Sequence, residues 1–176
     1  MGTLSANSTV VTFKPRPSNG WLSLAVLGVV LFLPTATTLA STSPTLQSPA
    51  LLINLAISLG FGVPILLLAA WFPTMRYELS DETLSLRYGP VLNYRIPLDT
   101  ITSMRRRNLS ITLWSAMRLP GLALFAVPYG DVGKVRMCAT AAANGILLIE
   151  TADRKYGITP ADEASFVAAI QARMAQ

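Results

Sequence analysis

Histidine is absent from the chain, and Cys138 is its only cysteine. Zinc sites built from His and Cys are thereby excluded, as are Ser-His-Asp and Cys-His nucleophilic machinery and any disulfide within the chain. Cys138, inside "KVRMCAT", reads as a small buried strand residue. Charge is the second scarcity: 13% of residues are charged against 52% hydrophobic, and the mean hydropathy is +0.48. Between Arg16 and Arg76 there is no Asp, Glu, Lys or Arg at all, whereas 12 of the 14 basic residues and all nine acidic ones lie from Arg76 onward. The chain divides into an uncharged half and a charged, soluble half. A pI near 9.8 is therefore no sign of nucleic-acid binding, and no motif of interleaved aromatic and basic residues accompanies the cations.

Two apolar runs fill the uncharged stretch, residues 21–40 and residues 50–72. A helix rises ~1.5 Å per residue, so about 20 residues cover the hydrocarbon layer, and both runs are expected to be transmembrane helices. Trp21 opens the first and Trp71 closes the second, where an indole suits the headgroup boundary. The link 41–49 is polar and uncharged. Lys14 and Arg16 precede the first run and Arg76, Arg87 and Arg95 follow the second. Basic residues stay on the cytoplasmic side, so the expectation is a multi-pass cell-membrane protein with both termini cytoplasmic, residues 1–20 forming a tail and 41–49 an extracytoplasmic loop. The competing reading is a secretory signal over residues 1–40, with "TTLA" before Ser41 as the cleavage site; the second run would still leave the C-terminal half in the cytoplasm.

Within the second run Ala56, Ser58, Gly60 and Gly62 place small residues at spacings of four. They are expected to form one face that packs against the first run, or alternatively against a second copy. Pro34 and Pro64 are expected kinks. No ionisable group lies in either run, which argues against an ion or solute pathway.

From Arg76 the apolar residues alternate. "RYEL", "TLSLRY", "NYRIPL", "DTITSMRRR", "LALFAVPY", "KVRMCAT", "GILLIET" and "RKYGIT" read as strands, separated by turn formers such as "SDE", "GDVG" and "AAANG". A helix closes the chain. Thr159 is its expected cap, with Pro160 at the first helical position and Asp162 three residues after the cap, and Phe166, Val167, Ile170 and Met174 form its apolar face.

"YELSDETLSLRYGP", "RIPLDTI", "LPG" at Leu119–Gly121 and "ILLIETADRKYGITPADEASFVAAI" follow in an order that resembles the bacterial pleckstrin-homology-like (PH-like) domains of small membrane proteins. The likeness covers nearly all of the expected domain at 76–176. It implies a bent antiparallel sheet of about seven strands capped by a C-terminal α-helix, so that with the two apolar runs the expected fold class is a two-helix transmembrane hairpin followed by a mainly β domain. It implies an interaction role of unspecified kind, because the fold hosts many. Eukaryotic PH domains that bind phosphoinositides gather basic residues around the first hairpin; here that turn is Ser80-Asp81-Glu82, and no such pocket is implied.

No catalytic constellation emerges. Most carboxylates fall in turns or at the helix start, Glu78 and Glu150 alone lie inside strands, and "GDVGK" lacks the spacing of a phosphate-binding loop. Two candidate contact surfaces remain. On a strand Arg105 and Arg107 point one way and Arg106 the other. They are a solvated strand end, or they meet anionic headgroups, where each cation is worth about 1 kcal/mol, or an acidic partner. The stretch 109–125 is a core strand with its turn, or else Ile111, Leu113, Trp114 and Met117 lie on the membrane or receive a partner. The expected function is a non-enzymatic membrane protein that presents the module to a protein partner or to itself. An anionic-lipid sensor and an accessory subunit of a transporter or envelope enzyme are the alternatives. Neither cofactor, metal nor nucleic acid is expected.

Overall fold

The computed structural model describes residues 10–40, 48–110 and 118–175. Ile111, Leu113, Trp114 and Met117 lie outside them. Two helical stretches, Gly20–Leu39 and Pro49–Thr74, are long and apolar enough to cross a membrane, with hydropathies of 2.0 and 2.3. A proline breaks each, because it offers no N–H to the carbonyl four residues back. In the first, α1 (Gly20–Val30) gives way to α2 (Leu33–Leu39), with Pro34 in its first turn. In the second, α3 (Pro49–Ile57) widens into a π-helical turn, Ser58–Gly62, before α4 (Val63–Trp71) with Pro64 in its first turn. Polar side chains gather at the breaks. Ser58 Oγ donates to the Leu31 carbonyl at 2.9 Å and so accepts from Thr35 Oγ1 at 2.8 Å, while Asn54 Nδ2 donates to Thr38 Oγ1 at 3.0 Å.

Ala56, Ser58, Gly60 and Gly62 do not share a face, since positions two apart in a helix point about 200° apart. Ser58 and Gly62 are buried against the first stretch, and a Cβ on Gly62 would lie 2.7 Å from Phe32 Cε2. Ala56 and Gly60 are exposed, and a Cβ on Gly60 would meet nothing within 4 Å. Gly62→Leu is expected to destabilise the chain by about 1–3 kcal/mol through overpacking, whereas Gly60→Leu leaves it unchanged. Thermal melts in detergent micelles read the difference.

The β domain holds two sheets. β1 (Val11–Phe13), β2 (Arg76–Leu79), β3 (Thr83–Tyr88) and β4 (Leu92–Pro97) form the first in that order. The second contains β5 (Ile101–Arg107), β6 (Arg118–Leu119), β7 (Leu122–Tyr129), β8 (Gly133–Ala139), β9 (Ile146–Thr151) and β10 (Lys155–Ile158), ordered β5-β9-β10-β8-β7-β6. The expected single antiparallel sheet of about seven strands is corrected on two counts. Nine strands lie between residues 76 and 158 among the described residues and β1 adds a tenth from the segment ahead of the helices, and β8 runs parallel to β10, with Tyr156 opposite Arg136 and Ile158 opposite Cys138. The physical reason is that β10 folds back on β9 as a hairpin and offers its second edge to β8, a choice that a short buried strand does not record in its pattern. Residues expected to be a plain tail supply β1, whose Val11, Thr12 and Phe13 face Leu79, Glu78 and Tyr77.

The helix α5 (Glu163–Met174) is capped by Asp162, whose Oδ1 accepts from the Ser165 N–H at 3.0 Å. Thr159 is not the cap. It is buried in the core, where its Oγ1 accepts from the Thr140 N–H at 2.8 Å. Phe166 and Ile170 are buried and Val167 partly so, while Met174 is 44% exposed. The main core lies between the sheets and α5, with Tyr77, Leu84, Leu86, Ile149 and Phe166 at its centre. A second cluster, including Leu109, Val127, Val135, Met137 and Leu148, occupies the other face of the six-stranded sheet. Phe125 adopts φ 62 and joins the inner core beside Leu124, out of step with Ala123 and Val127 on the other face. Such a backbone costs on the order of 1–3 kcal/mol, which the burial around it offsets.

Candidate functional site

Two turns grip the ends of the apolar helices. At the start of α1, Ser18 Oγ donates to the Gly121 carbonyl at 2.6 Å and Ser23 Oγ to the Pro120 carbonyl at 3.1 Å. At the end of α4, Gly89 N–H donates to Thr74 Oγ1 at 2.8 Å, and a Cβ on Gly89 would come within 2.8 Å of Trp71 Cγ. Gly89 and Gly121 both sit at positive φ, +48 and +80, where glycine is the residue that fits. Leu24, Ile65, Leu68 and Trp71 pack into the main core, so the helices and the domain share one hydrophobic interior.

This docking fixes which end of each strand faces the helices. β8 ends beside Thr140, whose Oγ1 donates to the Arg16 carbonyl at 2.7 Å, and β10 ends beside Thr159, whose carbonyl accepts from the Arg16 N–H at 2.7 Å. β9 runs antiparallel to β10, and β5 antiparallel to β9. The C-terminal end of β5, with Arg105, Arg106 and Arg107, therefore lies at the helix-facing end of the sheet. Their faces alternate. Arg105 and Arg107 lie close enough to Glu150 to help hold its carboxyl below the usual range, after the main cause, a 2.7 Å hydrogen bond from Ser103 Oγ. Arg106 turns to the opposite face, 3.8 Å from Glu163. There it meets Arg16: a Cβ on Gly145 would lie 3.1 Å from Arg106 Nη2 and 3.2 Å from Arg16 Nη1. Lys14 and Arg76 flank the same end, and Glu78 is paired with Arg76 at 2.6 Å and Arg87 at 2.9 Å.

The other end carries both signs, with Arg154 just ahead of β10, Lys155 at its start and Lys134 near the start of β8, and the charges lining one groove there are mainly carboxylates. Asp81 and Glu82 in the β2–β3 turn and Asp99 after β4 line a groove of about 670 Å³ with Thr83, Pro97 and the end of α5. Arg173 Nε, 3.5 Å from Asp81 Oδ1, is the one cation in that lining.

The family model for the bacterial PH domain matches residues 75–174. The chain belongs to that family. Comparison with curated proteins and with solved structures gave no match. In this bacterial PH domain the matched span begins one residue ahead of β2 and ends with α5, so β1 comes from outside that span and pairs with β2.

Its interior offers little chemistry. Burial pushes the Tyr77 hydroxyl and the Cys138 thiol far above their ordinary values, which keeps both neutral. Tyr77 instead joins the sheets, donating to the Cys138 carbonyl at 2.8 Å and accepting from the Thr159 N–H at 3.2 Å. No group of three or more His, Cys, Asp or Glu among the described residues could hold a metal ion. Of the residues singled out in the sequence, the arginines of β5 come to the helix-facing end of the PH domain, and Ser58 and Gly62 pack between helices. Sequence reasoning missed the role of Arg16. Its only signal was its place just ahead of an apolar run, and its partner Arg106 is 90 residues away.

Proposed function

We propose that this chain is a non-enzymatic, membrane-anchored interaction module. The two apolar stretches cross the cell membrane as a hairpin, and the PH domain stands on the cytoplasmic face with both termini. Its basic end meets anionic headgroups, and its far end is free for a protein partner. The carrying observation is the cluster of cations at the helix-facing end of the docked domain, Lys14, Arg16 and Arg105–Arg107, whereas the distal end carries both signs around a groove lined by Asp81, Glu82 and Asp99. Each cation near the cytoplasmic leaflet contributes about 1 kcal/mol, so the surface itself orients the domain. Pairing of β1 with β2 supports an even number of crossings, because it holds the segments before and after the helices on one side.

The distal groove suits a basic segment of a partner protein. A photocrosslinking residue at position 97 in the full chain is expected to capture a partner, and changing Asp81, Glu82 and Asp99 to Asn, Gln and Asn is expected to abolish the capture. Capture that survives neutralisation would remove the groove from the proposal. A C-terminal reporter active only outside the cytoplasm should stay silent; activity would reverse the orientation. The place of Arg105–Arg107 at the end of β5 also favours the lipid-sensing reading, in which these arginines are the contact with anionic lipid.

A further inference from the structure

Beneath the basic end lies a half-open cavity of about 180 Å³ between α1, α4 and the β6–β7 turn. Leu24 and Leu27 wall it on one side, Ile65 and Leu68 on another, Leu119 and Leu122 on the third. An aliphatic cavity of roughly 150 Å³ stays dry and takes an apolar guest, because water finds no polar partner there and the lining lacks contacts on its open side. A second groove, of about 410 Å³, opens where the helices end, lined by Lys14, Arg16, Ser18, Phe72 and Arg76 among others, with no carboxylate in its lining. Arg76 is held by Glu78. Lys14 and Arg16 form no ion pair among the described residues.

The two spaces are neighbours. Ile65, Leu68 and Phe72 are three and four residues apart and share a helix face, and Ser18 bonds to Gly121 between Leu119 and Leu122. Along the helix, Leu68 and Phe72 are separated by about 6 Å, the scale of a glycerol backbone. We propose that the chain holds one anionic glycerophospholipid at this junction, its phosphate against Lys14 and Arg16 and an acyl chain in the aliphatic cavity. The proposal rests on the membrane-hairpin reading, which puts the cavity just inside the headgroup layer, where acyl chains are the apolar molecule at hand. Charge selects the headgroup, because Lys14 and Arg16, whose guanidinium lies beside that of Arg106, are on the polar side and no cation lines the cavity.

The test uses the full chain reconstituted in vesicles of equal parts phosphatidylglycerol and phosphatidylcholine, then released into mild detergent for native mass spectrometry. The wild type is expected to retain one phosphatidylglycerol in preference to phosphatidylcholine. Leu27→Trp fills the mouth at a residue 39% exposed, where the fold tolerates it, and lowers retention about tenfold by removing burial of a few methylenes. Ile65→Phe, from the opposite wall, has the same effect, while Lys14→Gln with Arg16→Gln erases the headgroup preference. Unchanged retention in both cavity variants with native circular dichroism, or no preference in the wild type, overturns the site. Release of the chain from vesicles by alkaline carbonate overturns the hairpin, and the site with it; a chain that resists carbonate but carries no lipid overturns the site alone.

Discussion

Phe166→Ala is expected to cost the domain about 3–5 kcal/mol, the usual range for removing a fully buried phenyl ring. Phe166 is 0% exposed and lies where three elements meet. Its ring stands edge-on to Phe13 of β1 at 5.1 Å and to Tyr77 of β2 at 6.1 Å, so truncation leaves a void that α5 cannot close without pulling β1 away. Domains of this size have about 5–15 kcal/mol in total, and the loss should be read as a large fall in denaturation midpoint for the full chain in detergent. Tyr77→Phe separates packing from hydrogen bonding at the same place. It keeps the ring but leaves the Thr159 N–H and the Cys138 carbonyl without the phenol, costing about 1–3 kcal/mol. A Phe166→Ala variant within about 1 kcal/mol of wild type would mean that β1 and α5 are not coupled through this ring.

Local pattern and long-range pairing were unequally legible in the sequence. "TLSLRY" alternates, and its residues are alternately half-buried and buried in β3. β2 to β4 were readable for the same reason, since one face of each meets a core and the period is two, whereas β7 to β10 meet a core on both faces and were readable as short apolar runs between turn formers. β1 was passed over: Val11-Thr12-Phe13 is β-branched and aromatic, but so short a run beside a proline-rich segment names no partner, and β2, more than sixty residues later, supplies it. The helix start was misread because Thr159-Pro160 imitates a cap, while the core needs the Thr159 hydroxyl for Thr140 and leaves capping to Asp162. Spacing of four among Ala56, Ser58, Gly60 and Gly62 was real, but it describes two stripes, one against the first helical stretch and one exposed. The split of the arginines on β5 followed from strand geometry, whereas the meeting of Arg106 with Arg16 depends on the whole fold.

The second large effect concerns the joint. Gly20 opens α1 directly beneath the β6–β7 turn, and a Cβ there would overlap the Gly121 carbonyl oxygen. The converse contact is as tight, with a Cβ on Gly121 falling 2.8 Å from the Gly20 nitrogen, and both atoms are backbone that no rotamer change can move. Gly20→Val is therefore expected to force the turn off the helix, losing the Ser18–Gly121 hydrogen bond and opening Leu24 and Leu122 to solvent or lipid. The cost is about 1–3 kcal/mol or more, and it falls on one joint. Hydrogen exchange on the full chain should show faster exchange in residues 118–125 while β2–β4, gripped by Gly89 and Trp71 at the other helix end, keep their protection. Gly60→Val is the control: like Gly20 it is a helical glycine without positive φ, but its Cβ would meet nothing within 4 Å, so it adds the same side chain without the wedge. Equal exchange in Gly20→Val and wild type would show that the turn does not bear on the helix. If the joint opens as expected, Arg16 and Arg105–Arg107 lose their fixed height above the helices, and the orientation of the basic end passes from the fold to the membrane surface alone.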